Sequence, residues 1–308
     1  MTSVTVLLSS FNGEKFIRQQ IDSILNQDTE NLKLFVRDDG SIDKTLEILG
    51  DYQSKGLLSY YQNSIPNYKD INDKIGKSYF DLCKNAPVSE YYAFADQDDF
   101  WKSNKLSTAI SQLELYSDKD IPLLYCSYAE PVDENLESFN YKPPKVRPKF
   151  LLGGRLLMNS VASGCTFVFN RAALNVFLQY QSQYIGIHDW LFSKIIAFTG
   201  KIIYDKQSYI KYRQHGNNII GVKEDNMSKK SKRHFEEHNV NLRSNVAKEV
   251  LLNYCEILDE KSLYHLDILT NYRLSFIKKI KLLFSRKITG NRILSKLGIK
   301  LLIILNKL

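Results

Sequence analysis

Three polar clusters, each placed directly behind an apolar run, constrain the fold of this chain more than any other feature. The pairs are Val4–Leu8 before Ser9–Gly13, Leu32–Val36 before Arg37–Ser41, and Tyr91–Ala95 before Asp96–Asp99. Apolar residues recur at helical spacing between the runs. This alternation predicts an α/β fold, with a mostly parallel sheet flanked by helices. Ligands bind such sheets at the carboxyl ends of the strands, so we expect the clusters to share one edge.

Weaker patterns map the rest of the chain. We predict a helix through Leu46 and Leu49, capped by Ser41 or Asp43, and a loop over Pro131–Phe150. Further strands are predicted at Leu57–Tyr61, Leu123–Tyr128 and Cys165–Phe169, and further helices at Phe16–Leu25, Ile75–Cys83, Arg171–Tyr180 and Asp189–Phe198. Strand patterns stop near residue 226. We therefore predict an α/β domain over 1–225 and a basic helical region over 226–308.

Charge is unevenly distributed between these two regions. Residues 226–308 carry 17 Lys and Arg against 7 Asp and Glu, whereas residues 1–225 carry 25 against 27. A basic region of this kind binds nucleic acid or an anionic membrane, or is simply solvated.

Cysteine usage and hydropathy indicate a compartment. The four cysteines are scattered without a CxxC pair, which disfavours a zinc site and a disulfide framework. No basic leader precedes the first apolar run, so we expect a buried strand there and no signal peptide. The apolar stretch near residue 300 is interrupted by Lys300 and is too short to cross a bilayer. These features predict a reduced, cytoplasmic protein.

The acidic run at Asp96–Asp99 is the strongest candidate for a metal site. Three carboxylates in four residues repel one another unless a cation is bound, and Mg²⁺ or Mn²⁺ prefers such oxygen ligands. The alternative is a solvated acidic turn that caps a helix beginning near Lys102. The buried-looking strand before the run and Phe100-Trp101 after it favour the metal site.

Together, the motifs resemble those of family 2 glycosyltransferases, which have the GT-A fold. The matching segments are Ser9-Ser10-Phe11-Asn12-Gly13, Asp38-Asp39-Gly40-Ser41 with Asp43, and Phe94-Ala95-Asp96-Gln97-Asp98-Asp99-Phe100-Trp101. The resemblance spans roughly residues 1–220. Within the family, the Ala-Asp-Gln-Asp-Asp-x-Trp form is similar to that of bacterial rhamnosyltransferases of cell-wall and capsule polysaccharide assembly.

For the nucleotide, the resemblance implies contacts in the first two clusters. Ser10 and Asn12 are expected near the nucleotide, and Asp39, with or without Asp38, is expected to accept a hydrogen bond from the pyrimidine N–H. The alternative for Asp39 is a turn stabilised by its own side chain.

For the metal, the resemblance implies Mg²⁺ or Mn²⁺ bound by the acidic run. Asp96 is expected near the ribose or the metal, and Asp98 with Asp99 at the metal, with Asp98 the firmer ligand. Tyr212–Asn218 is similar to a further family segment. Its Arg213 is expected to neutralise the diphosphate, and its His215 to be a metal ligand. The alternative is a surface loop with an incidental histidine.

On the acceptor side, the resemblance implies Asp189 as the general base, and Gly164 as a residue close to the acceptor pocket. A general base must face the acceptor hydroxyl on the side opposite the diphosphate. The alternative for Asp189 is a helix N-cap. His188 either orients Asp189 or packs in the core, and Trp190 either packs there or stacks on a sugar ring.

Two basic amphipathic stretches end the chain, around Phe276–Phe284 and Ile293–Leu305. Helices of this type lie in the membrane interface. The alternative is packing on the catalytic domain or on a second subunit, as in a homodimer. A nucleic-acid-binding module is disfavoured, because the basic residues accompany an apolar stripe rather than a folded aromatic surface.

We therefore expect an inverting glycosyltransferase that moves L-rhamnose from dTDP-β-L-rhamnose to a lipid-linked or polysaccharide acceptor, at the inner face of the cell membrane. A UDP-hexose or UDP-N-acetylhexosamine donor on the same machinery is the close alternative. A non-catalytic protein that keeps the fold is the remote one. GxGxxG and Walker sequences do not occur, which disfavours nicotinamide and ATP.

Overall fold

The computed structural model describes residues 2–148, 151–159, 162–182, 186–216, 242–290 and 293–308. The chain divides into two compact units. The first unit comprises Met1–Val146, Ala162–Ile196 and Gly200–Ile219, and the second Arg147–Val161, Ala197–Thr199 and Ile220–Leu308. The predicted boundary between residues 225 and 226 lies outside the described residues.

A single sheet organises the first unit. Its strands within the described residues are β1 (Val4–Ser10), β2 (Leu32–Asp38), β3 (Ser59–Gln62), β4 (Tyr91–Asp96), β5 (Phe100–Trp101), β6 (Leu123–Val132), β7 (Val168–Asn170) and β8 (Lys201–Arg213). The order is β3-β2-β1-β4-β7-β6-β8-β5. The adjacent strands β3, β2, β1 and β4 pair parallel to one another, and β6 pairs parallel with β8. Strand β7 is antiparallel to β4 and β6, and β5 is antiparallel to β8. Four of the seven pairings are parallel, in agreement with the predicted mostly parallel sheet, and the three antiparallel pairings all involve β5 or β7.

Helices accompany this sheet in the alternating order that the sequence predicts. They are α1 (Ile17–Leu25), α2 (Thr45–Ser54), α3 (Ile71–Asn85), α4 (Lys105–Glu114), α6 (Arg171–Leu178) and α7 (His188–Thr199), with α5 (Gly153–Met158) in the second unit. Strands β1 and β4 are buried along almost their whole length, as expected for parallel strands covered on both faces. Ile17, Ile21 and Ile24 of α1 join them in the core.

The second unit is helical in its described part. Besides α5 it contains α8 (Leu242–Tyr254), α9 (Glu260–Asn271), α10 (Phe276–Leu283) and α11 (Ile293–Ile304). Asp259 and Ser275 cap α9 and α10 by accepting backbone N–H bonds from Ser262 and Lys278. Among the described residues, no helix is both long and apolar enough to cross a membrane.

Several local predictions were wrong. Neither Ser41 nor Asp43 is the N-cap residue of α2: Lys44 holds that position, while Asp43 accepts the Thr45 N–H and Ser41 bonds to the preceding loop. The strand predicted at Cys165–Phe169 is a 3-10 turn over Gly164–Thr166 followed by the short β7.

Strands β5 and β8 lie in segments where we predicted no strand. β5 has only two residues, too few for a period-2 pattern. β8 is mostly half-buried, and its register with β6 shifts at Tyr128, so its sequence lacks a clean alternation. These two strands matter because β8 ends at Arg213, next to the acidic run.

Candidate active site

The three polar clusters meet at one edge of the sheet, as the sequence predicts. In the register of the parallel strands, Ser10 at the end of β1 is level with Asp38, and Ser9 is level with Asp96. The β1–α1 and β2–α2 loops therefore converge with the acidic turn, which is the run Asp96–Asp99 after β4, at the carboxyl ends of neighbouring strands. This is the position at which open α/β sheets bind ligands.

Asp38 stabilises the loop after β2. Its buried carboxylate accepts hydrogen bonds from the backbone N–H groups of Gly40 (3.0 Å) and Ser41 (2.8 Å) and from the hydroxyls of Ser10 (2.9 Å) and Ser41 (2.5 Å). Both carboxylate oxygens are thus engaged within the protein. The turn that we considered for Asp39 is made by Asp38.

Asp39, the next residue along the chain, is also buried. Ser78 of α3 donates to Asp39 at 2.6 Å, and a guanidinium nitrogen of buried Arg37 lies 2.8 Å from its other oxygen. Arg37 also contacts Asp81 at 3.1 Å. Burial raises the pKa of the Asp39 carboxyl, and the Ser78 hydrogen bond and the Arg37 charge oppose the rise.

Asn12 joins the first two loops. Its backbone is left-handed (φ 49°), a conformation that asparagine tolerates. The Asn12 side chain accepts the N–H of Ile42 at 2.9 Å, and its own N–H donates to Ser41 at 2.8 Å. The neighbouring Gly13 N–H donates to Thr45 at 2.7 Å.

Gln97 ties the first loop to the acidic turn. Its carboxamide accepts the Phe11 N–H at 2.8 Å and donates to the Phe11 carbonyl at 3.0 Å, as a neighbouring strand would. A Cβ atom on Gly13 would lie only 2.4 Å from the Gln97 Oε1 atom. Sequence reasoning missed Gln97, because a polar residue between carboxylates carries no sign of this contact.

Asp96, at the end of β4, accepts a 2.6 Å hydrogen bond from Tyr79 of α3. The Tyr79 hydroxyl also lies 2.8 Å from the Ala95 carbonyl. Burial, followed by the charge of Asp98, raises the pKa of Asp96 to about 7. Sequence reasoning also missed Tyr79, which looks like an ordinary core residue of its helix.

Asp99 is fully buried beneath the acidic turn. One oxygen accepts the backbone N–H of Arg213 at 3.1 Å, and no hydrogen-bond partner for the other lies among the described residues. Burial and the charges of Asp98 and Asp96 raise its pKa well above the usual range. Ligand atoms of Asp96, Asp99 and Cys165 all lie within 4.8 Å of one another.

Asp98 points to a different partner and is less buried than Asp99. Its carboxylate lies 2.8 Å from the Nε2 atom of His215, which follows β8. Both side chains remain partly exposed, at 17% and 11%. The His215 ring packs on Phe16 with centroids 4.9 Å apart. The two residues that we predicted as metal ligands from distant segments are therefore adjacent.

Arg213 anchors the acidic turn from behind. Its Nε donates to the Asp98 carbonyl at 2.8 Å, and its terminal nitrogens donate to the Glu134 carbonyl and, at 2.5 Å, to the Gln19 side chain. Its guanidinium also packs over the Phe16 ring. The side chain is almost fully buried, so these contacts favour a scaffolding role over the diphosphate contact that we expected.

Lys105, the first residue of α4, lies buried behind the same turn. Its Nζ atom lies 3.4 Å from the centroid of the Trp101 ring and has no hydrogen-bond partner in the part of the chain that the structure describes. Burial lowers the pKa of Lys105 to about 7, and the charges of Cys165 and Asp99 oppose the shift. Nothing in the sequence distinguishes this lysine from an exposed residue at a helix start.

Gly164 holds Asp189 in place. The Gly164 N–H donates to the Asp189 carboxylate at 2.8 Å. A Cβ atom on Gly164 would lie 2.6 Å from the His188 Nε2 atom and 2.8 Å from the Asp189 Cβ atom. Helix α7 has Ile187 as its N-cap residue, so Asp189 is not its N-cap. The neighbouring Trp190 is half-buried beneath the Lys194 Nζ atom, 4.8 Å from its ring centroid.

His188 packs in an aromatic cluster. Its ring stacks on Tyr79 at 3.6 Å between centroids and meets Phe94 edge-on at 5.1 Å. Neither ring nitrogen has a hydrogen-bond partner within the described ranges. Burial lowers the pKa of His188 to about 4, against the opposing charge of Asp189. The imidazole is therefore neutral at physiological pH.

We expect His188→Phe to make the folding stability less sensitive to acid. In the unfolded chain the imidazole gains a proton below about pH 6.5, whereas in the folded protein its pKa of about 4 delays protonation. Folding stability is thus lost as the pH falls through this window, by about 3 kcal/mol between about pH 7 and pH 4. Urea unfolding of both proteins across this range measures the difference. Parallel stability profiles would contradict the prediction.

The sheet order and the acidic edge agree with those expected of a glycosyltransferase with the GT-A fold. A model of the family "Glycosyl transferase family 2" matches residues 5–177, and the chain belongs to this family. The match contains the clusters after β1, β2 and β4 and the Gly164 turn, whereas Asp189, Arg213 and His215 lie beyond it.

Relatives and solved structures agree with this assignment. The chain is 28% identical over 245 residues to the dTDP-rhamnosyl transferase RfbG of Shigella flexneri, covering 73% of this chain and 76% of that protein. It is 29% identical over 56% of its length to the Escherichia coli WfgD, a UDP-Glc:alpha-D-GlcNAc-diphosphoundecaprenol beta-1,3-glucosyltransferase, covering 62% of that protein. The S. aureus TarS 1-349 structure in complex with UDP-GlcNAc superposes with a TM-score of 0.58 at 19% identity, covering 92% of this chain and 74% of that one.

Proposed function

We propose that this protein is an inverting, metal-dependent transferase that moves L-rhamnose from dTDP-β-L-rhamnose to a saccharide acceptor. The observation that carries the choice of donor is the similarity to a named dTDP-rhamnosyl transferase over about three quarters of both chains. The Ala-Asp-Gln-Asp-Asp-x-Trp segment supports the same choice.

The nucleotide binds against the loops after β1 and β2. Asp39 accepts the pyrimidine N–H, and Ser10 and Asn12 shape the pocket, since both are tied to the loop that Asp38 organises. Asp38 itself acts through the loop, because its carboxylate is already saturated by four hydrogen bonds. Trp190 contributes a half-buried ring for the sugar or the acceptor.

A divalent cation, Mg²⁺ or Mn²⁺, fits the residues at the acidic turn. Asp98 offers a carboxylate oxygen of the kind that Mg²⁺ and Mn²⁺ prefer, and the adjacent His215 offers an imidazole nitrogen; both side chains are partly exposed. Asp99 carries a buried oxygen that no described residue hydrogen-bonds, and it supports the turn from beneath. Asp96 faces the ribose or the metal. When bound, the cation supplies Lewis-acid stabilisation of the departing nucleotide diphosphate.

Asp189 is the general base. Its carboxylate is fixed by the Gly164 N–H and takes the proton of the acceptor hydroxyl. The acceptor oxygen then bonds to the anomeric carbon as the carbon–oxygen bond to the diphosphate breaks. Attack from the face opposite the diphosphate converts the β-linked donor into an α-linked product.

The acceptor is a lipid-linked or polysaccharide saccharide, used at the inner face of the cell membrane. A relative whose name specifies a diphosphoundecaprenol-linked acceptor supports this class. A UDP-hexose or UDP-N-acetylhexosamine donor is the second candidate, because that relative uses UDP-Glc and the matched TarS structure holds UDP-GlcNAc.

A thermal-shift screen of nucleotide sugars with and without Mn²⁺ tests the donor. We expect dTDP-β-L-rhamnose with Mn²⁺ to raise the melting temperature most, because a ligand that binds only the folded state stabilises it. dTDP alone serves as the control for the nucleotide. A larger shift with UDP-Glc or UDP-GlcNAc would reject rhamnose as the donor sugar.

A further inference from the structure

Helices α10 and α11 of the second unit expose an apolar surface. The solvent-exposed residues are Phe276, Ile277, Ile280 and Phe284 along α10, and Leu294, Leu297, Leu301, Ile304 and Leu305 along α11. Phe276, Phe284 and Leu294 are each more than 75% exposed. Soluble domains rarely leave so many large apolar side chains together in water without a partner.

The exposed residues of each helix lie on one face. On α10 they recur at helical spacing opposite the buried Leu282, and on α11 they lie opposite the buried Ile299 and Ile303. Each helix therefore packs inward through one side and presents apolar side chains on the other. Lys279 of α10 donates to the Ile304 carbonyl at 2.9 Å and so holds the two helices together.

Positive charge surrounds this apolar face. Residues 272–308 contain ten Lys and Arg and no Asp or Glu. Lys300 of α11 extends towards the Phe284 ring, 5.9 Å from its centroid, and the exposed Lys281 and Lys296 lie beside the apolar residues of their helices. Lys278, in contrast, pairs with Asp267 of α9. The apolar face is therefore bordered by cations without a compensating acidic side chain in this segment.

We propose that the α10–α11 face docks on an anionic phospholipid bilayer, with its apolar side chains in the interface and its lysines at the headgroups. Apolar burial and attraction to anionic lipid act together in helices of this kind. A second copy of the chain is a poorer occupant, because a symmetric contact would place two uncompensated basic rims against each other.

This proposal is independent of the donor and of the metal. It concerns only the second unit and is measured without any sugar, so its failure and the failure of the proposed function are distinguishable. It agrees with a lipid-linked acceptor, since enzyme and acceptor would then share one surface.

Vesicle co-sedimentation of the full chain tests the proposal. Phosphatidylcholine vesicles are compared with vesicles in which roughly a third of the lipid is phosphatidylglycerol. We expect binding to the anionic vesicles that weakens by at least about a hundredfold in Lys281→Glu/Lys296→Glu/Lys300→Glu, because each lost lysine accounts for about fivefold and each new glutamate repels the anionic surface. Phe276→Ser/Phe284→Ser/Leu297→Ser should lower partition by at least about tenfold through lost apolar burial.

Matched controls change exposed residues of the first unit. Val88→Ser/Leu115→Ser and Lys33→Glu/Lys55→Glu/Lys84→Glu should bind as the unchanged protein does. Circular dichroism establishes that each variant folds, and the two α10–α11 variants test the face independently. Equal binding by all variants, or no binding by the unchanged chain, would overturn the proposal. A dimer that the serine variant converts to monomer, without vesicle binding, would assign the face to a second copy.

Discussion

Asp98→Asn is expected to lower kcat/KM by roughly a thousandfold and to abolish the stimulation of activity by Mn²⁺. The substitution keeps the shape of the side chain but removes the charge next to His215, at the partly exposed position where we propose that the cation binds. Loss of charge at a metal ligand weakens cation binding and leaves the departing diphosphate unstabilised. Steady-state kinetics across a Mn²⁺ titration measures both effects.

Two further variants make this experiment discriminating. Asp51→Asn changes an exposed aspartate that pairs with Arg18 at the surface, and it should leave the Mn²⁺ response unchanged. Asp99→Asn changes a fully buried aspartate, and we expect it to alter stability more than apparent Mn²⁺ affinity. If Asp99→Asn weakened Mn²⁺ binding more than Asp98→Asn did, the cation would belong to the buried Asp96–Asp99–Cys165 cluster instead.

Asp189→Asn is expected to reduce kcat by about a thousandfold while donor affinity stays unchanged. Asparagine can still accept the Gly164 N–H through its side-chain oxygen, so the geometry persists while the proton acceptor is lost. Single-turnover kinetics measures the chemical step, and calorimetry with donor and Mn²⁺ measures binding.

Gly164→Ala tests the role of Asp189 in a second way. The added methyl group would collide with His188 and the Asp189 side chain, so the carboxylate should be displaced rather than neutralised. We expect a loss of kcat here too, with donor affinity preserved. If Asp189→Asn kept full turnover, another group would have to be the base.

The sequence predicted the sheet edge because that edge depends on local patterns. Apolar runs long enough to cross a buried parallel sheet identify β1, β2 and β4, and chain order then brings their polar ends together. The acidic turn, Asp39 and Asn12 accordingly lie where they were expected. The resemblance, rather than the patterns, indicated His215, which lies more than a hundred residues from Asp98 in sequence.

Contacts that depend on tertiary packing were not predicted from the sequence. The sequence could not show that Asp38 uses all its acceptors within a loop, or that Arg213 turns towards protein carbonyls. It also could not show Lys105 buried behind the turn, because the residue is fixed by tertiary packing and not by its own helix. Strand β8, which carries Arg213, was missed because most of its residues are half-buried, so apolar and polar residues do not alternate cleanly along it.

The contact between Gln97 and Gly13 makes two distant positions interdependent. Any side chain at position 13 would enter the space that the Gln97 carboxamide occupies when it pairs with Phe11. A larger residue at 13 therefore displaces the Gln97 carboxamide and breaks its link between the two loops. A variant of the acidic turn that changes Gln97 therefore also changes the packing of the first loop at Gly13.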